Sequence, residues 1–253
     1  MNSTLKLVAS FLLIVGTHNC YAQAKGTFYA FDAKWQPAKS MDSCTYFMHE
    51  MQKSDTEFIC RYYQKVGPMI RQEVYKDVDL SVPNGFFCWY NEKGKIDSSG
   101  HVVNAKKDSR WEYYLGDSLQ PTYYDEYSDG KFIKRVISQK NADSEKVETD
   151  VTQKEAVFQK GVKDWNKYLQ RNLRIPDRLI SIVPGGIYTV NVCFLVDKIG
   201  KVTSVYLRRS LEWSADAEVF RIVEHSPDWQ PAMQYGRPVY YREMQNISFE
   251  VSK

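Results

Sequence analysis

The sequence predicts an α+β protein: an N-terminal antiparallel β-meander of hairpin repeats, then a small C-terminal αββαβ domain with one antiparallel sheet and two helices. The first observation behind this prediction is composition. The chain is 14% aromatic and contains eighteen tyrosines, whose rings suit half-buried strands because one edge is polar. The second is a recurrence of aromatic pairs and turn residues in the first half. The third is a change in apolar spacing, from two to nearly four, after a polar stretch at residues 138–153.

The bulk composition narrows the class of protein. Hydrophobic residues make up 43% and charged residues 26% of the 253 residues, values typical of a folded globular protein rather than a disordered one. The formal net charge is only +3 and is evenly scattered, so no nucleic-acid partner is predicted.

The first 24 residues are predicted to be a cleavable signal peptide. Lys6 supplies a positive charge, residues 7–15 form an apolar core, and residues 22–24 (AQA) offer a small-x-small cleavage site. We therefore expect the protein in the periplasm or cell envelope. Lipid attachment at Cys20 and an uncleaved inner-membrane anchor remain open as alternatives.

Four cysteines would remain in the exported chain, where disulfides persist. Cys44 and Cys60 could pair across a hairpin, or all four could be small buried hydrophobes. No Cys or His pair has the spacing of a zinc site, so neither a metal nor another cofactor is expected.

The meander is predicted over residues 25–137. Aromatic pairs begin at Tyr62, Trp89 and Tyr113, at intervals of 27 and 24 residues. Gly67 and Gly94 follow the first two pairs as turns, and Asn84-Gly85 and Asp129-Gly130 are hairpin-type dipeptides. Such a repeat cannot bury its own apolar face, so neighbours must stack. Residues 85–95 (GFFCWYNEKGK) and weaker copies resemble MORN-like β-hairpin repeats, which imply a fold but no activity.

Residues 138–153 are polar and aperiodic, which indicates a linker before a C-terminal domain at 154–253. Phe158, Val162, Trp165 and Leu169 then form one stripe of an amphipathic helix that Pro176 is expected to end.

The rest of the C-terminal domain follows from strand alternation and caps. Residues 188–196 alternate as a strand, residues 197–200 (DKIG) reverse the chain, and residues 202–209 return. Ser214 is a predicted N-cap for a second helix reaching about His225, with Asp216 in its first turn. Residues 239–251 are predicted to be one long final strand.

These C-terminal residues resemble the TonB C-terminal domain family, in the form common in Bacteroidetes. The resemblance covers about two-fifths of the chain, in the same order throughout. It rests on residues 169–176 (LQRNLRIP), 192–202 (VCFLVDKIGKV), 215–218 (ADAE), 227–232 (PDWQPA) and 236–239 (GRPV).

The resemblance implies a periplasmic module that grips the TonB box, a short extended segment of an outer-membrane TonB-dependent transporter. A terminal strand at a sheet edge has unpaired backbone groups, and an extended peptide can satisfy them by adding a strand. The residues assigned to partner binding lie on the final strand and at the position of the family's usual Tyr-Pro: Val239, Tyr241, Glu243, Gln245, Ile247, Phe249, Ile175 and Pro176. Pairing of the same edge into a homodimer is also open.

Two departures separate this chain from a typical energy transducer. The apolar N-terminus looks cleavable, whereas an anchor is needed to receive force from an inner-membrane proton-channel complex. A Pro-rich rod is missing as well, since only nine prolines are scattered along the sequence. Energy-coupled transport is thus a weaker expectation than binding itself.

No sequence motif indicates an enzyme, because GxSxG, HExxH and phosphate-binding glycine loops are all missing. Arg208 and Arg209, with three further arginines nearby, could engage an acidic partner or peptidoglycan, although we favour a solvated basic face. The alternative function is a cell-envelope scaffold in which the β-repeat surface binds protein or glycan partners.

Overall fold

The computed structural model describes residues 26–116, 120–138 and 154–252. The predicted signal peptide at 1–24 and residues 139–153 of the predicted linker lie outside the described residues. What is described is mostly antiparallel β-structure with three helices.

The N-terminal half is a single nine-stranded sheet in which every strand pairs with its neighbour in sequence. The predicted antiparallel meander is therefore confirmed. Its strands are β1 Thr27–Phe31, β2 Tyr46–Ser54, β3 Glu57–Gln64, β4 Met69–Tyr75, β5 Gly85–Tyr90, β6 Ile96–Val103, β7 Lys106–Tyr113, β8 Tyr123–Ser128 and β9 Lys131–Ile137.

The tight turns of the meander use residues with positive φ. Asn104 and Ala105 have φ of 49° and 64°, and Asp129 and Gly130 have φ of 49° and 81°, as type I′ hairpins require. The prediction of a hairpin turn at Asn84-Gly85 was wrong. The chain reverses earlier, where the Asp77 carboxylate accepts the backbone N–H groups of residues 81 and 82, and Gly85 already begins β5.

The C-terminal region alternates helices with strands. In order, its elements are β10 Val157–Phe158, α1 Val162–Asn172, α2 Asp177–Ile182, β11 Gly186–Val196, β12 Val202–Arg209, α3 Trp213–Glu224, β13 Trp229–Gln230, β14 Ala232–Gln234, β15 Arg237–Val239 and β16 Tyr241–Val251. The main sheet has the order β12-β11-β16, while β10 pairs with β13 and β14 with β15 in two small sheets. The predicted single sheet with two helices is thus extended by α2 and by two short strand pairs.

The predicted first helix begins later than its apolar stripe suggested. Phe158 belongs to β10 and packs edge-on against Trp165 at 5.2 Å between ring centroids, while Val162 is 74% exposed. The helix also ends before Pro176: Leu173 is already extended, and Pro176 becomes the N-cap of α2. Because proline fixes φ and needs no hydrogen bond at a helix start, it suits that position.

The cap of α3 is Glu212 rather than the predicted Ser214. The Glu212 carboxylate accepts the backbone N–H of Ala215 at 2.7 Å and the hydroxyl of Ser214. Since Ser214 is already inside the helix, its hydroxyl supports the cap instead of forming it.

The predicted long final strand is divided. Residues 241–251 form β16, but Val239 lies in β15 and pairs with Ala232 across the turn at Tyr235-Gly236. The positive φ of both turn residues closes a separate hairpin, so the assignment of Val239 to the final strand was wrong.

One face of the meander packs against the C-terminal sheet. A continuous hydrophobic cluster joins Tyr63, Met69, Cys88 and Tyr90 of the meander to buried residues of β11, β12, β16 and α3. A second, smaller hydrophobic cluster lies within the meander and includes Trp111. The four described cysteines (Cys44, Cys60, Cys88 and Cys193) are buried free thiols, in agreement with the alternative that all four are small buried hydrophobes.

Candidate functional site

Strand β16 is the candidate site because it is an edge strand over its whole length. All eleven of its residues pair with β11 in continuous antiparallel register, from Tyr241 opposite Val196 to Val251 opposite Gly186. Within residues 26–116, 120–138 and 154–252, β16 pairs with no other strand. Alternate backbone N–H and C=O groups of β16 therefore point away from the sheet and offer a ladder for another strand.

The opposite edge of this sheet is partly covered by the meander. The backbone N–H of Ser210 donates to the Gly94 carbonyl at 2.8 Å, and Lys95 forms an isolated bridge with Arg209. The Tyr90 hydroxyl donates to the Leu207 carbonyl at 2.9 Å. These contacts occupy the outer edge of β12, so the sheet offers β16 as its open edge.

The two faces of β16 differ in burial. Ile247, Phe249 and Val251 point into the core beneath the helices and are almost fully buried, whereas residues 242, 244, 246, 248 and 250 are exposed on the other face. Side chains alternate along a strand, so this pattern fixes the register of β16 on β11. Because the register is continuous, the outward backbone groups of β16 alternate regularly along its free edge.

A groove of about 340 Å³ lies between α1 and β16. One wall comes from α1 and the residue directly after it, at positions i, i+3, i+4 and i+7: Asn166, Leu169, Gln170 and Leu173. The fifth lining residue is Ser248 of β16. The Ser248 and Thr189 hydroxyls are hydrogen-bonded at 2.8 Å, on the face of the sheet opposite Phe194. On the Phe194 face, the Phe194 ring contacts Trp229, which in turn contacts Trp165 of α1. The groove therefore reaches Ser248 around the free edge of the strand.

The first half of β16 carries polar groups on the helix side. Burial raises the pKa of Glu243, while the amide of Gln245 donates to its carboxylate at 2.7 Å and opposes that shift. Burial also raises the pKa of Tyr241, and the nearby Glu155 carboxylate adds to that rise. Glu155 thus lies beside the start of β16, leaving residues 245–250 as the more open part of the strand.

The structure brings five of the eight predicted site residues onto one face of one strand: Tyr241, Glu243, Gln245, Ile247 and Phe249. The side chains of Ile247 and Phe249 are 0% and 1% exposed, so only their backbone is available to a partner. Val239 is separated from them in β15.

Ile175 and Pro176 lie in the connection between α1 and α2. Ile175 is 40% exposed, but the residues on either side of Ile175 and Pro176 bond to α3, its cap and the meander rather than to β16. Arg174 N donates to Glu218 of α3, and Arg178 donates both to Glu212 and to the Lys65 carbonyl of the meander. These bonds tie the connection to α3 and to the meander, although Leu173 at its start lines the groove beside β16.

Sequence reasoning missed the α1 wall of the groove. Leu169 was assigned to the buried stripe of the helix, although it is only half-buried, and Leu173 was not assigned at all. A second stripe through residues 166, 169, 170 and 173 was the available signal, because i, i+3, i+4 and i+7 positions share one helix face.

In the described part of the chain, no group of three or more His, Cys, Asp or Glu side chains could hold a metal ion. No described helix combines the length and the apolar character needed to cross a membrane. His49 lies in β2 and is 2% exposed, with its ring stacked 4.3 Å from Phe28.

The segments on which the family resemblance rests lie in one region. Residues 169–176 join α1 to α2, residues 192–202 run from β11 through its turn into β12, and residues 227–239 include the short strands β13 to β15. Gly200 of the turn accepts the Trp229 N–H at 2.8 Å, so two of these segments touch directly. Comparisons of the chain with protein-family models, curated proteins and solved structures found no match, and the resemblance stays a prediction.

Proposed function

We propose that this chain is a non-enzymatic binding protein of the periplasm or cell envelope. Its C-terminal region acts as a TonB-like αββαβ unit that adds an extended segment of an outer-membrane transporter to the free edge of β16. Taking part in energy-coupled transport would require a further link to the inner membrane.

The single observation that supports this proposal is the geometry of β16. An eleven-residue strand is paired on one side, open on the other among the described residues, and flanked by a groove against α1. In β-augmentation the peptide backbone supplies the hydrogen bonds, while pockets for alternate side chains supply selectivity.

The other sheet edges are less suited to strand addition. The edge of β1 is folded over by its own loop, where Ala38 N donates to the Ala30 carbonyl at 2.9 Å. The edge strand β9 carries Lys131, Lys134 and Arg135, and exposed cations are a common protection against edge-to-edge pairing. These features favour β16 as the recognition edge.

The groove also indicates which peptide side chains fit. Leu169 and Leu173 offer apolar surface, and Asn166 and Gln170 offer uncharged polar groups, so this wall carries no formal charge. We therefore expect a peptide with small or branched apolar residues at alternate positions, since β-branched residues also favour the extended conformation.

The test is a binding titration with synthetic peptides that copy the N-terminal periplasmic segments of outer-membrane transporters. Fluorescence anisotropy should show saturable binding to the full chain. Replacing Leu169 by Asn should weaken it about tenfold, because roughly 1–2 kcal/mol of apolar contact is lost. The matched control is Val162→Asn on the same helix, where the side chain is 74% exposed outside the groove.

Equal binding by both variants, or no binding of any transporter peptide, would count against the proposal. Circular dichroism of each variant separates loss of the groove from loss of the fold.

One observation favours the scaffold alternative. Trp35, 36% exposed and with a positive φ of 60°, stacks on Tyr46 at 4.4 Å between ring centroids. The Arg71 guanidinium lies 3.8 Å from the Tyr62 ring beside them. An exposed aromatic group of this kind suits stacking against a glycan ring or a peptide.

The two candidates separate by Trp35→Ala in the full chain. The scaffold function predicts that this variant loses its envelope partner while still binding transporter peptides. The strand-addition function predicts that Trp35→Ala keeps both the envelope partner and peptide binding, and that Leu169→Asn weakens both. Deleting the meander would be a poorer test, because it would strip the shared hydrophobic cluster.

A further inference from the structure

Arg208 stands out among the charged groups because its guanidinium is buried without a carboxylate partner. The residue is 5% exposed, and its Nε and Nη2 atoms have no hydrogen-bond partner. Its Cζ atom lies 4.8 Å from the centroid of the Tyr114 ring, so a π face rather than an anion meets the charge. The predicted solvated basic face is therefore wrong for Arg208, although the adjacent Arg209 is exposed.

A cavity of about 220 Å³ adjoins this guanidinium, between the meander and the C-terminal sheet. Arg110 and Glu112 of β7 line it from the meander, and Arg208 of β12 and Arg242 of β16 line it from the sheet. Three guanidinium groups and one carboxylate thus face the same small space.

The single carboxylate is already shared by other groups. Glu112 Oε1 lies 3.3 Å from Arg110 Nε and 3.4 Å from Arg242 Nη1. Its other oxygen accepts the Tyr114 hydroxyl at 2.6 Å. Glu112 therefore serves Arg110, Arg242 and Tyr114, and the charge of Arg208 is not balanced by it.

Other ionisable groups beside the cavity are neutral at pH 7. Burial raises the pKa of the Cys193 thiol, even though Arg242 and Arg208 oppose that rise. Burial likewise raises the pKa of the Tyr114 and Tyr206 hydroxyls. A desolvated cation without a counter-charge is costly, and an anion from outside the chain would remove that cost.

We propose that this cavity is a binding site for a small oxyanion, a phosphate or a carboxylate, held by Arg208 with Arg242 and Arg110. Planar guanidinium groups match the oxygens of both anions with paired hydrogen bonds. The volume lies below that of pockets for drug-sized ligands, so the ligand is small. This site is independent of strand addition at the edge of β16.

Because its lining comes from both the meander and the C-terminal sheet, a bound anion would link them. A ligand that binds the folded protein alone raises the unfolding temperature, and the rise grows with the logarithm of ligand concentration above its Kd. Inorganic phosphate and acetate are the two probes, and chloride at matched ionic strength is the reference.

The experiment combines calorimetric titration with thermal unfolding of the full chain. We expect one saturable site for phosphate, acetate or both, and the probe that binds identifies the class of oxyanion. Arg208→Gln should abolish binding and the associated shift in unfolding temperature. Arg209→Gln, one residue along the same strand but exposed, should retain both.

A second variant keeps the proposal testable if Arg208→Gln fails to fold. Arg242, whose side chain is 54% exposed, can be replaced by Gln with little effect on the fold, and binding should weaken about tenfold. Phosphate also stabilises proteins non-specifically. The proposal is overturned if each anion raises the unfolding temperature of all variants equally, or if calorimetric titration shows saturable binding of neither anion.

Discussion

The carboxylate of Asp216 is completely buried and ties α3 to the segment before it and to the meander. It accepts the Ser210 hydroxyl at 2.5 Å and the Leu211 N–H at 3.0 Å. Ser210 in turn accepts the backbone N–H of Met69 at 2.7 Å. The sequence showed Asp216 only as an acidic residue in a first helical turn, since its burial depends on the distant strand β4.

The environment of Asp216 favours its protonated form. Burial raises the pKa of this carboxyl from 3.8 to about 7, while the bonds from Leu211 and Ser210 oppose the shift. The Glu212 charge adds to the rise and the Arg61 charge opposes it. The folded protein therefore holds a proton that the unfolded chain releases between about pH 4 and pH 7.

This burial predicts that Asp216→Asn changes the dependence of stability on pH. The contribution of Asp216 is fully present below about pH 4 and is lost as the pH rises towards 7, by up to about 1.4 kcal/mol per pH unit. Relative to the wild type, the Asn variant should gain in free energy of unfolding across that window. Urea unfolding at several pH values measures it, and parallel pH profiles for the two proteins would contradict the assignment.

At the scale of elements, the sequence predicted what local patterns determine. Alternation of Val190, Val192, Phe194 and Val196 predicted β11, and Asp197 to Gly200 predicted its turn into β12. The short strands β13 to β15 and the six-residue helix α2 were missed, because segments this short carry little periodicity. The pairing of β13 depends on a distant partner, β10, whereas β14 and β15 pair with each other as a hairpin.

The candidate site likewise has one part that the sequence predicted and another part that it did not. The identity of β16 as the terminal strand followed from sequence, and so did the shared parity of Tyr241 to Phe249. The sequence contained the second stripe of α1, but it could not show that this stripe lies beside β16 or that the edge of β12 is occupied, since both depend on how the meander and α1 pack.

Two adjacent proline substitutions probe the open edge of β16. Neighbouring N–H groups of a strand point to opposite edges, so Gln245→Pro and Asn246→Pro remove one N–H towards β11 and one towards the free edge. We expect one variant to lose roughly 3 kcal/mol of stability and the other to fold normally, as proline is tolerated on an outward edge position.

The normally folded proline variant should lose peptide binding, as measured by anisotropy. Asn246→Ala is the control, because Asn191 also donates to the Asn246 side chain at 2.7 Å and that bond is lost with the proline. Strong destabilisation of both proline variants would indicate that the outer N–H groups are already engaged.

At the scale of the whole molecule, the meander and the C-terminal sheet support each other. The Arg61 guanidinium of β3 lies 3.3 Å from the Phe220 ring of α3, and Lys53 forms an ion pair with Glu224 at 2.8 Å. Together with the shared hydrophobic cluster, these contacts join the meander to α3 and to the C-terminal sheet. The meander is therefore a structural platform that leaves β16 as the accessible edge.

This shared core predicts one cooperative unfolding transition for the full chain, since neither part can unfold without exposing apolar surface of the other. Differential scanning calorimetry should give a single peak whose calorimetric and van't Hoff enthalpies agree. Two separated transitions would mean that the meander and the C-terminal region are stable independently.

Residue-resolved amide hydrogen exchange along β16, with and without a saturating transporter peptide, tests the central claim most directly. In the free protein, alternate amides of residues 245–250 should exchange fast while their neighbours, bonded to β11, exchange slowly. Peptide addition should slow the fast set by about tenfold or more and leave β12 unchanged. Slow exchange of every β16 amide in the free protein, or protection that appears only in the meander, would contradict strand addition at this edge.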